Sequence, residues 1–596
     1  MNREEITVPL SDFDLLFGRF MEQLAGAPAP EVFLAACLAS SHLASGHICV
    51  DLKDYAGASI FFPHAQTGLA APPWDRWAEC LRCSKVVGEP FDYRPLILDD
   101  SLLYLYRYWR YERQLADLIV RRAGQVDYKY DPERFKAEIE SLIPPSDGDQ
   151  TNWLKVAAFT AATKKLALIS GGPGTGKTYL TARIMALLTK LEAPRLLNIA
   201  LVAPTGKAAT RLMESIQDAR WHLPHIPLPT ETFTLHRLLK MRPHHPSSPY
   251  TPENPLPYEV IMMDEASMVD LPLFSRLLYA LKDDARVILL GDKDQLASVE
   301  PGAVFGELCN TSAAAGYSFD FVGECKKITG EELPPSPPRG ALSDSLVVLR
   351  KNFRFPAQSA IHQLSEAVRN GDEGSFMETL RSKGGEVTWV RWESWKNLSA
   401  MMEEIIVRGY APYLKAKEVE EAFSLFHKFR VLCAIREGPL GMENVNRLIE
   451  SILAKKGLLS PGRPWYQKMP VMITKNDYGL RLMNGDCGLI LREKNYLAAF
   501  FPDEEGKMKS YHPAHLPPYE TVYAMTVHKS QGSEFDEVLV VLPDRLSPVL
   551  TRELLYTAVT RARERLAIIA SEEILLATLN RKTERTSGLA RLLSKA

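Results

Sequence analysis

Residues 166–191 read LALISGGPGTGKTYLTARIMALLTKL: a short apolar run, a glycine-rich turn and a long run with helical spacing. The first run predicts a buried strand and the last predicts a helix. Between them, GGPGTGKT at 171–178 has the spacing of a phosphate-binding loop, whose glycines let backbone N–H groups approach phosphate oxygens. The helix N-terminus adds partial positive charge there. This order predicts an α/β domain with a nucleotide site.

Three more apolar runs follow the same plan, each ending in a polar or glycine-containing turn before a helical pattern. They are LNIALVAP at 197–204, EVIMMDEAS at 259–267 and ARVILLGD at 285–292. Strands alternating with helices form parallel sheets, whose functional groups gather at the carboxyl ends of the strands. We therefore expect one parallel sheet with its site at that edge.

Several residue types at those strand ends suit ATP and Mg²⁺. Lys177 should contact the β and γ phosphates, and Thr178 and Asp264 should hold Mg²⁺. Glu265 should polarise the attacking water, although adjacent acids also occur at solvated strand ends. Gln295 could sense the γ-phosphate, and Arg354 and Arg561 could stabilise its charge, although a surface position is the default for an arginine. The expected ATP loop comprises Gly171, Gly172, Pro173, Gly174, Thr175, Gly176, Lys177 and Thr178.

The chain divides by pattern into three regions. Residues 1–125 carry helical patterns without a phosphate loop and predict a helical domain that docks on a partner. Residues 148–355 form the first α/β domain, with a proline-rich insertion at about 241–258 that is unsuited to a helix or central strand. Residues 356–596 form a second α/β domain, and short strand-like runs at about 460–520 predict a small inserted β-barrel.

Composition narrows the class of protein. A chain of 596 residues exceeds what one hydrophobic core supports, and its formal net charge of −2 gives no general attraction for nucleic acid. Any DNA strand must therefore be held in a local groove. The start lacks a secretion signal and no apolar run could span a bilayer, so we expect a cytoplasmic protein without a membrane partner. Eight scattered cysteines, including the pair Cys80 and Cys83, favour free thiols over disulfides or metal.

Eight motifs in order resemble those of superfamily 1 helicases. They are GGPGTGKT (171–178), LVAPTGKAATRL (201–212), TFTLHRLL (232–239), MMDEASMVD (262–270), GDKDQLASVEPG (291–302), LRKNFRF (349–355), TVHKSQGSEFD (526–536) and LLYTAVTRAR (554–563). The phrases GHICVDL (46–52), LYLYRYWRYERQLA (103–116), VLCAIREGPLGMENVN (431–446) and PVMITKNDYGLRLMNGDCG (470–488) resemble the RecD family, the alpha subunits of RecBCD-type exodeoxyribonuclease V.

This resemblance implies two tandem RecA-like P-loop domains, with an inserted SH3-like β-barrel, that move 5′→3′ on single-stranded DNA. It implies RecB-like and RecC-like partners at double-strand DNA ends, with the N-terminal domain docked on the latter. The site residues Lys177, Asp264, Glu265, Gln295, Arg354 and Arg561 match the family's ATP site, and Glu534 matches a position near the nucleotide or is a capping acid. The implied DNA contacts are Pro204, Thr205, Lys207, Thr234, His236, Thr526, His528, Lys529 and Gln531.

Departures and alternatives remain. Leu154 stands where relatives place a glutamine that reads adenine, so adenine selectivity is relaxed or supplied elsewhere. Residues His244 to Pro257 occupy the place of the family's strand-separating wedge, where a disordered loop is an equal alternative. No nuclease cluster is evident. Competing hypotheses are a stand-alone RecD2-type helicase, a scaffold that binds nucleotide without turnover, and a P-loop ATPase acting on other cargo.

Overall fold

The computed structural model describes residues 5–595 except 27, 63–66, 146–150, 224–225, 243–246, 338–339, 357, 383–384, 393–396, 462–463, 478 and 504–505. The middle of the described chain is a parallel sheet in the order β10-β9-β11-β12-β8-β13. Its strands are β8 (Leu166–Gly171), β9 (Ile199–Ala203), β10 (Thr232–Thr234), β11 (Val260–Met263), β12 (Arg286–Gly291) and β13 (Leu346–Leu349).

Helices cover both faces of this first sheet, so its central strands β8, β11 and β12 are buried along their whole length. The parallel α/β prediction is confirmed. The helices are α6 (Trp153–Thr163), α7 (Lys177–Glu192), α8 (Gly206–His222), α9 (Leu235–Leu238), α10 (Leu271–Tyr279), α11 (Val304–Ala315) and α12 (Phe319–Thr329).

A second parallel sheet has the order β14-β23-β22-β15-β21. Its strands are β14 (Val387–Arg391), β15 (Phe429–Cys433), β21 (Ala524–Thr526), β22 (Phe535–Val541) and β23 (Ala562–Ala570). The helices of this part are α13 (Ala360–Asn370), α14 (Glu373–Arg381), α15 (Leu398–Lys415), α16 (Val419–Phe426), α17 (Met442–Lys455), α18 (Arg552–Val559) and α19 (Glu572–Asn580).

An antiparallel sheet interrupts the second one between β15 and β21, in the order β19-β18-β17-β16-β20. It consists of β16 (Met469–Ile473), β17 (Cys487–Glu493), β18 (Tyr496–Pro502), β19 (Met508–Tyr511) and β20 (Tyr519–Thr521). An inserted β unit was expected at about 460–520. Its SH3-like identity stays a prediction.

The N-terminal region is mixed α/β, so the expectation of a purely helical domain was wrong. In its described residues two small sheets, β1-β3-β4 and β2-β7-β6-β5, pack with helices. The strands are two to four residues long, which is too short for an alternation of apolar and polar residues to be recognised in the sequence. The elements are β1 (Glu5–Thr7), α1 (Asp12–Ala25), α2 (Pro30–Ala44), β2 (Cys49–Asp51), β3 (Ser59–Phe62), β4 (Thr67–Ala70), α3 (Trp74–Arg82), β5 (Val87–Gly88), β6 (Leu96–Asp99), β7 (Leu102–Leu105), α4 (Tyr106–Ala123) and α5 (Pro132–Leu142).

The last described helix packs against the N-terminal region. After α19, residues 581–588, which we call the C-terminal strap, lead to α20 (Leu589–Ser594), which packs against α4 and α11. The proline-rich insertion is irregular where it is described, with one isolated bridge between Thr251 and Asn254. His244, the start of the expected wedge, lies outside the described residues. In the described part of the chain, no helix combines the length and apolar composition needed to cross a membrane.

Candidate nucleotide and nucleic-acid site

The phosphate-binding loop lies at the carboxyl end of β8 and leads into α7. Gly174 and Gly176 have φ of +80° and +85°, a left-handed conformation that favours glycine. A Cβ on Gly174 would stand 2.6 Å from Arg354 Cβ, so this glycine also permits the close approach of the arginine segment. Lys177 Nζ donates to the carbonyls of Gly171 (2.5 Å) and Gly172 (3.1 Å). These hydrogen bonds hold the Lys177 side chain beside the carboxyl end of β8.

The loop lines a cleft of about 380 Å³ between the two parallel sheets. The cleft gathers all six residues expected to be catalytic, which lie far apart in the sequence. Its lining consists of Pro173, Gly174, Gly176, Lys177, Thr178, Tyr179, Arg211, Asp264, Glu265, Gln295, Phe353, Arg354, Gly532, Glu534 and Arg561.

Acidic groups crowd the floor of the cleft, where the neighbouring strands β11 and β12 end. Burial, reinforced by Glu265, raises the pKa of Asp264 above its usual range. Burial likewise raises the pKa of Asp292 to about 6, although the charge of Lys177 opposes the shift. Carboxylates taken out of water gain from a cation placed among them.

This donor set fits Mg²⁺. The Thr178 hydroxyl and the carboxylates of Asp264 and Asp292 offer the oxygen ligands that this ion prefers. No group of three or more His, Cys, Asp or Glu side chains with ligand geometry occurs among the described residues.

Two arginines line the cleft, Arg354 against the phosphate-binding loop and Arg561 in the second α/β part. Arg354 forms an ion pair with Glu534, which also pairs with Arg563 at 3.0 Å. Burial alone would raise the pKa of Glu534, but the neighbouring arginines, Arg354 foremost, outweigh it and lower the pKa to about 2. Glu534 is one of the residues that line the cleft. Arg561 is 2% exposed and donates to the carbonyls of Thr557 and Ser533, both at 3.0 Å.

Gln295 lies between the acids and the second sheet. Its Nε2 donates to Asp292 Oδ2 at 3.0 Å. The next residue, Leu296, donates its N–H to Thr557 Oγ1 at 3.0 Å and accepts from Gln531 Nε2 at 3.0 Å. The segment beside the expected γ-phosphate sensor is thus hydrogen-bonded to α18 and to the segment after β21, so the positions of these parts depend on each other.

The part of the cleft beside Gly176 is apolar and aromatic. Leu154 and Phe353 approach within 3.9 Å and 3.6 Å of where a Cβ on Gly176 would stand. Tyr179 presents its ring to the Arg183 guanidinium, 3.6 Å from the ring centroid. A leucine offers no hydrogen bond to a nucleobase, whereas rings and guanidinium groups can stack on any base.

The expected DNA contacts lie at the edges of the sheets. Thr205 caps α8 and Thr234 caps α9, each accepting a backbone N–H with its hydroxyl, and His236 is exposed. Burial lowers the pKa of Lys207, which lies near the antiparallel sheet. Pro204 follows β9, and Thr526 ends β21. Small polar groups at such edges can hold phosphates without reading sequence.

Three members of the segment after β21 are held within the protein. Gln531 is 8% exposed and its amide donates to the Leu296 carbonyl, so its side chain is engaged within the protein, and its expected DNA contact stays a prediction. Lys529 pairs with Glu520. Burial, followed by the charge of Arg585, lowers the pKa of His528. A strand that binds Lys529 has to displace Glu520.

Three groups of the site escaped the sequence analysis. Asp292 follows a buried apolar run directly, the same signal that pointed to Asp264. Asn352 accepts the N–H of Arg354 at 2.9 Å and donates to the Pro173 carbonyl at 3.1 Å, which fixes the arginine segment on the loop. Arg211 donates to the Gly532 carbonyl across the two sheets. Neither the contacts of Asn352 nor the contact of Arg211 leaves a local signal in the sequence.

All eight cysteines, Cys80 and Cys83 included, are free thiols.

Family models match three stretches of the chain: an AAA domain at 155–301, a UvrD-like helicase C-terminal domain at 521–569, and the RecBCD enzyme subunit RecD N-terminal domain at 8–104. RecBCD enzyme subunit RecD of Mycolicibacterium smegmatis is 34% identical, with 98% of each chain covered. The chain belongs to the RecD family. It is an ATP-dependent DNA helicase.

Two other relatives and one solved structure are also similar to the chain. RecBCD enzyme subunit RecD of Haemophilus influenzae is 35% identical over 84% of this chain and 81% of the relative. The ATP-dependent RecD2 DNA helicase of Deinococcus radiodurans is 29% identical, over 72% of this RecD-family chain but 51% of the relative. Among solved structures, a Bacteroides Pif1 helicase with ADP-AlF3 and ssDNA matches at 16% identity and a TM-score of 0.38, covering 74% of this chain and 95% of that one.

Proposed function

We propose that the chain is the 5′→3′ motor subunit of a RecBCD-type helicase-nuclease that processes double-strand DNA ends for recombinational repair in the cytoplasm. The observation that carries the proposal is the cleft, which brings Lys177, Asp264, Glu265, Gln295, Arg354 and Arg561 to one point between two parallel sheets. An ATP held there contacts both sheets. Hydrolysis can therefore change their separation while each holds DNA at its edge.

Each cleft residue has a chemical task in this proposal. Lys177 balances the β and γ phosphates, and Thr178 and Asp264 hold Mg²⁺, which neutralises charge on the transferring phosphoryl group. Glu265 orients and polarises the attacking water. Arg354, on the segment that follows β13, and Arg561, which lies between α18 and β23, stabilise charge that grows in the transition state. Gln295 reports the loss of the γ-phosphate to Leu296 and thus to the second sheet.

RecB-like and RecC-like chains are the proposed partners, with the latter on the N-terminal region. One face of α1 carries an exposed stripe at helical spacing, formed by Phe13, Leu16, Phe20 and Leu24, which are 71%, 63%, 54% and 46% exposed. Large apolar side chains aligned on one surface are characteristic of an interface. The opposite face of α1 packs against α2, so the stripe is not needed to hold the helix in place.

The alternative, a stand-alone RecD2-type helicase, has less support. The RecD2 relative extends well beyond the matched part, whereas the RecD subunit of M. smegmatis is matched almost end to end. A scaffold without turnover would not require a complete set of hydrolytic side chains. An ATPase acting on other cargo would leave the polar groups at β9, β10 and β21 without a role.

A turnover assay of the full-length chain tests the proposal. ATP hydrolysis is measured with and without a single-stranded oligonucleotide, using Lys177→Gln as the blank and the exposed Lys282→Gln as the matched control. We expect DNA-stimulated hydrolysis that Lys177→Gln abolishes and Lys282→Gln retains. Unwinding of duplexes with only a 5′ or only a 3′ tail then gives polarity. Hydrolysis that DNA does not change would refute the DNA-coupled motor.

The DNA track needs its own variant. Thr526→Ala combined with His528→Ala should weaken binding of a fluorescent oligonucleotide while leaving hydrolysis without DNA near the parent rate. Unchanged affinity would show that the strand follows another path.

A further inference from the structure

The C-terminal strap, residues 581–588, connects the three parts of the molecule. At its start, the Arg581 carbonyl accepts the N–H of Arg552 at 2.7 Å, which ties it to α18 of the second sheet. At its end, the Gly588 N–H donates to Glu112 Oε1 of α4 at 3.0 Å, and Ser587 donates to Glu307 of α11. The strap therefore crosses from the second sheet to the first and to the N-terminal region.

Arg585, in the middle of the strap, binds the loop that follows Gln295. We call residues 295–302 the sensor loop. Arg585 Nη2 donates to the Ser298 carbonyl at 2.5 Å, and Nη1 donates to the carbonyls of Glu300 at 2.9 Å and Gly302 at 3.1 Å. One guanidinium thus satisfies three backbone acceptors of one short loop, which fixes the loop's shape.

The N-terminal region covers this contact from the other side. Gly46 has φ of +90°, and a Cβ there would stand 3.1 Å from Arg585 Cζ. The Gly46 carbonyl accepts the Gly302 N–H at 3.0 Å. The next strap residue, Thr586, donates its N–H to His47 Nδ1 at 2.9 Å and accepts from the Ile48 N–H at 2.9 Å. The guanidinium is enclosed between the sensor loop and residues 46–48.

The two ends of the sensor loop meet different partners. At its start, Gln295 bonds to Asp292 in the ATP cleft, and Leu296 bonds to Thr557 and Gln531 of the second sheet. At its far end Arg585 holds the carbonyls of Glu300 and Gly302 together with the Ser298 hydroxyl, which donates to them at 2.8 Å and 2.7 Å. A loop fixed at both ends transmits a displacement, whereas a loop free at one end absorbs it.

We propose that Arg585 is a positioning residue that couples DNA binding to ATP hydrolysis by clamping the far end of the sensor loop. The proposal rests on the proposed motor function and assigns a role to a residue outside the helicase motifs. Arg585 touches neither ATP nor DNA in this scheme. Without the clamp the far end keeps only its neutral hydrogen bonds to Ser298 and Gly46, so more of the movement of the segment that carries Gln531 is lost in the loop before it moves Gln295. The hydrolytic groups stay in place.

The test compares Arg585→Ala and Arg585→Lys with Arg581→Ala in the full-length chain. Arg581 is an exposed residue of the same strap, and its guanidinium donates to the Ser547 carbonyl at 3.3 Å, away from the sensor loop. ATP hydrolysis is measured without DNA and over a titration of single-stranded oligonucleotide, and the melting temperature is measured in parallel.

We expect Arg585→Ala to keep its DNA-free rate but to lose about tenfold in the ratio of stimulated to DNA-free rate, since several charge-assisted hydrogen bonds are removed. Arg585→Lys, which keeps the charge and can reach part of the loop, should fall between. Arg581→Ala should match the parent. A purely structural role would instead lower the melting temperature and both rates together.

Two results would overturn the clamp: a parent-like stimulation ratio in Arg585→Ala, or an equal fall of the DNA-free and stimulated rates. Should Arg585→Ala fail to fold, Arg585→Lys decides by the same ratio, and a parent-like value overturns the proposal. Failure of the proposed motor function looks different, because then the parent chain itself shows no stimulation by DNA.

Discussion

Asp292 is 2% exposed at the floor of the cleft, and its replacement by asparagine should have an effect that depends on pH. Burial raises the pKa of this carboxyl to about 6. The group is thus almost fully ionised at about pH 7.5, but only about one molecule in ten is ionised at about pH 5. Asparagine is neutral at both values. At low pH the parent therefore loses most of the charge that the variant never had.

The assay is kcat/KM for ATP hydrolysis, because this constant reports the protonation of the free enzyme. If the ionised Asp292 is needed to hold Gln295 and a cation, the ratio of parent to Asp292→Asn should shrink about tenfold between about pH 7.5 and about pH 5. Protonation of the nucleotide affects both proteins and cancels in the ratio. A ratio that stays constant across this range would show that the charge of Asp292 has no part in nucleotide use.

Three further outcomes are expected. Gly46→Ala should lower the free energy of unfolding by about 1–3 kcal/mol. The loss should exceed that of Gly457→Ala, because Gly457 also has a positive φ but a Cβ there would meet nothing within 4 Å. Equal losses in the two variants would contradict this. Glu534→Gln should cost up to about 3 kcal/mol at neutral pH in denaturant unfolding. Since the pKa of Glu534 is lowered from 4.5 to about 2, this stability is present above the unfolded pKa, and the difference from the parent should vanish as pH falls through that interval; a gap that persists at low pH would exclude it. Phe20→Asp should weaken assembly with partner subunits by at least about tenfold in a pull-down titration, because burying a charge is costly. Leu546→Asp, which changes an exposed leucine outside α1, should not weaken it. Intact assembly of Phe20→Asp would remove α1 from the interface.

How far the sequence could predict the site depends on how local each contact is. The phosphate loop was predictable because one octapeptide fixes its own shape, with Gly174 and Gly176 in left-handed conformations. The strand-end acids were predictable because parallel strands end at the same edge of a sheet. Asp292 carried this signal and was still overlooked.

Other features depend on contacts between distant residues and could not be predicted from local patterns. The strands of the N-terminal sheets are short, so their apolar residues gave a helical pattern as readily as a strand pattern. Gln531 matched a DNA-binding motif, yet its amide is turned inward by a carbonyl at Leu296, more than two hundred residues earlier. Arg585 belongs to no motif, and its partners at Ser298 to Gly302 lie in the loop between β12 and α11, far earlier in the chain.

Two ion pairs within the chain engage the cations that the proposed function assigns to DNA and to ATP. Lys529 pairs with Glu520, and Arg354 pairs with Glu534. In the proposed function, a DNA phosphate at Lys529 and a nucleotide phosphate at Arg354 would each replace a carboxylate that the protein already supplies. Both carboxylates flank the single segment 526–531, which also carries Gln531 and its bond to Leu296. When either ligand displaces its carboxylate, the same segment loses one anchor and moves more freely. In the proposed function, exchange of ion pairs, rather than a strong general attraction, would link the two sites in a chain whose net charge is only −2.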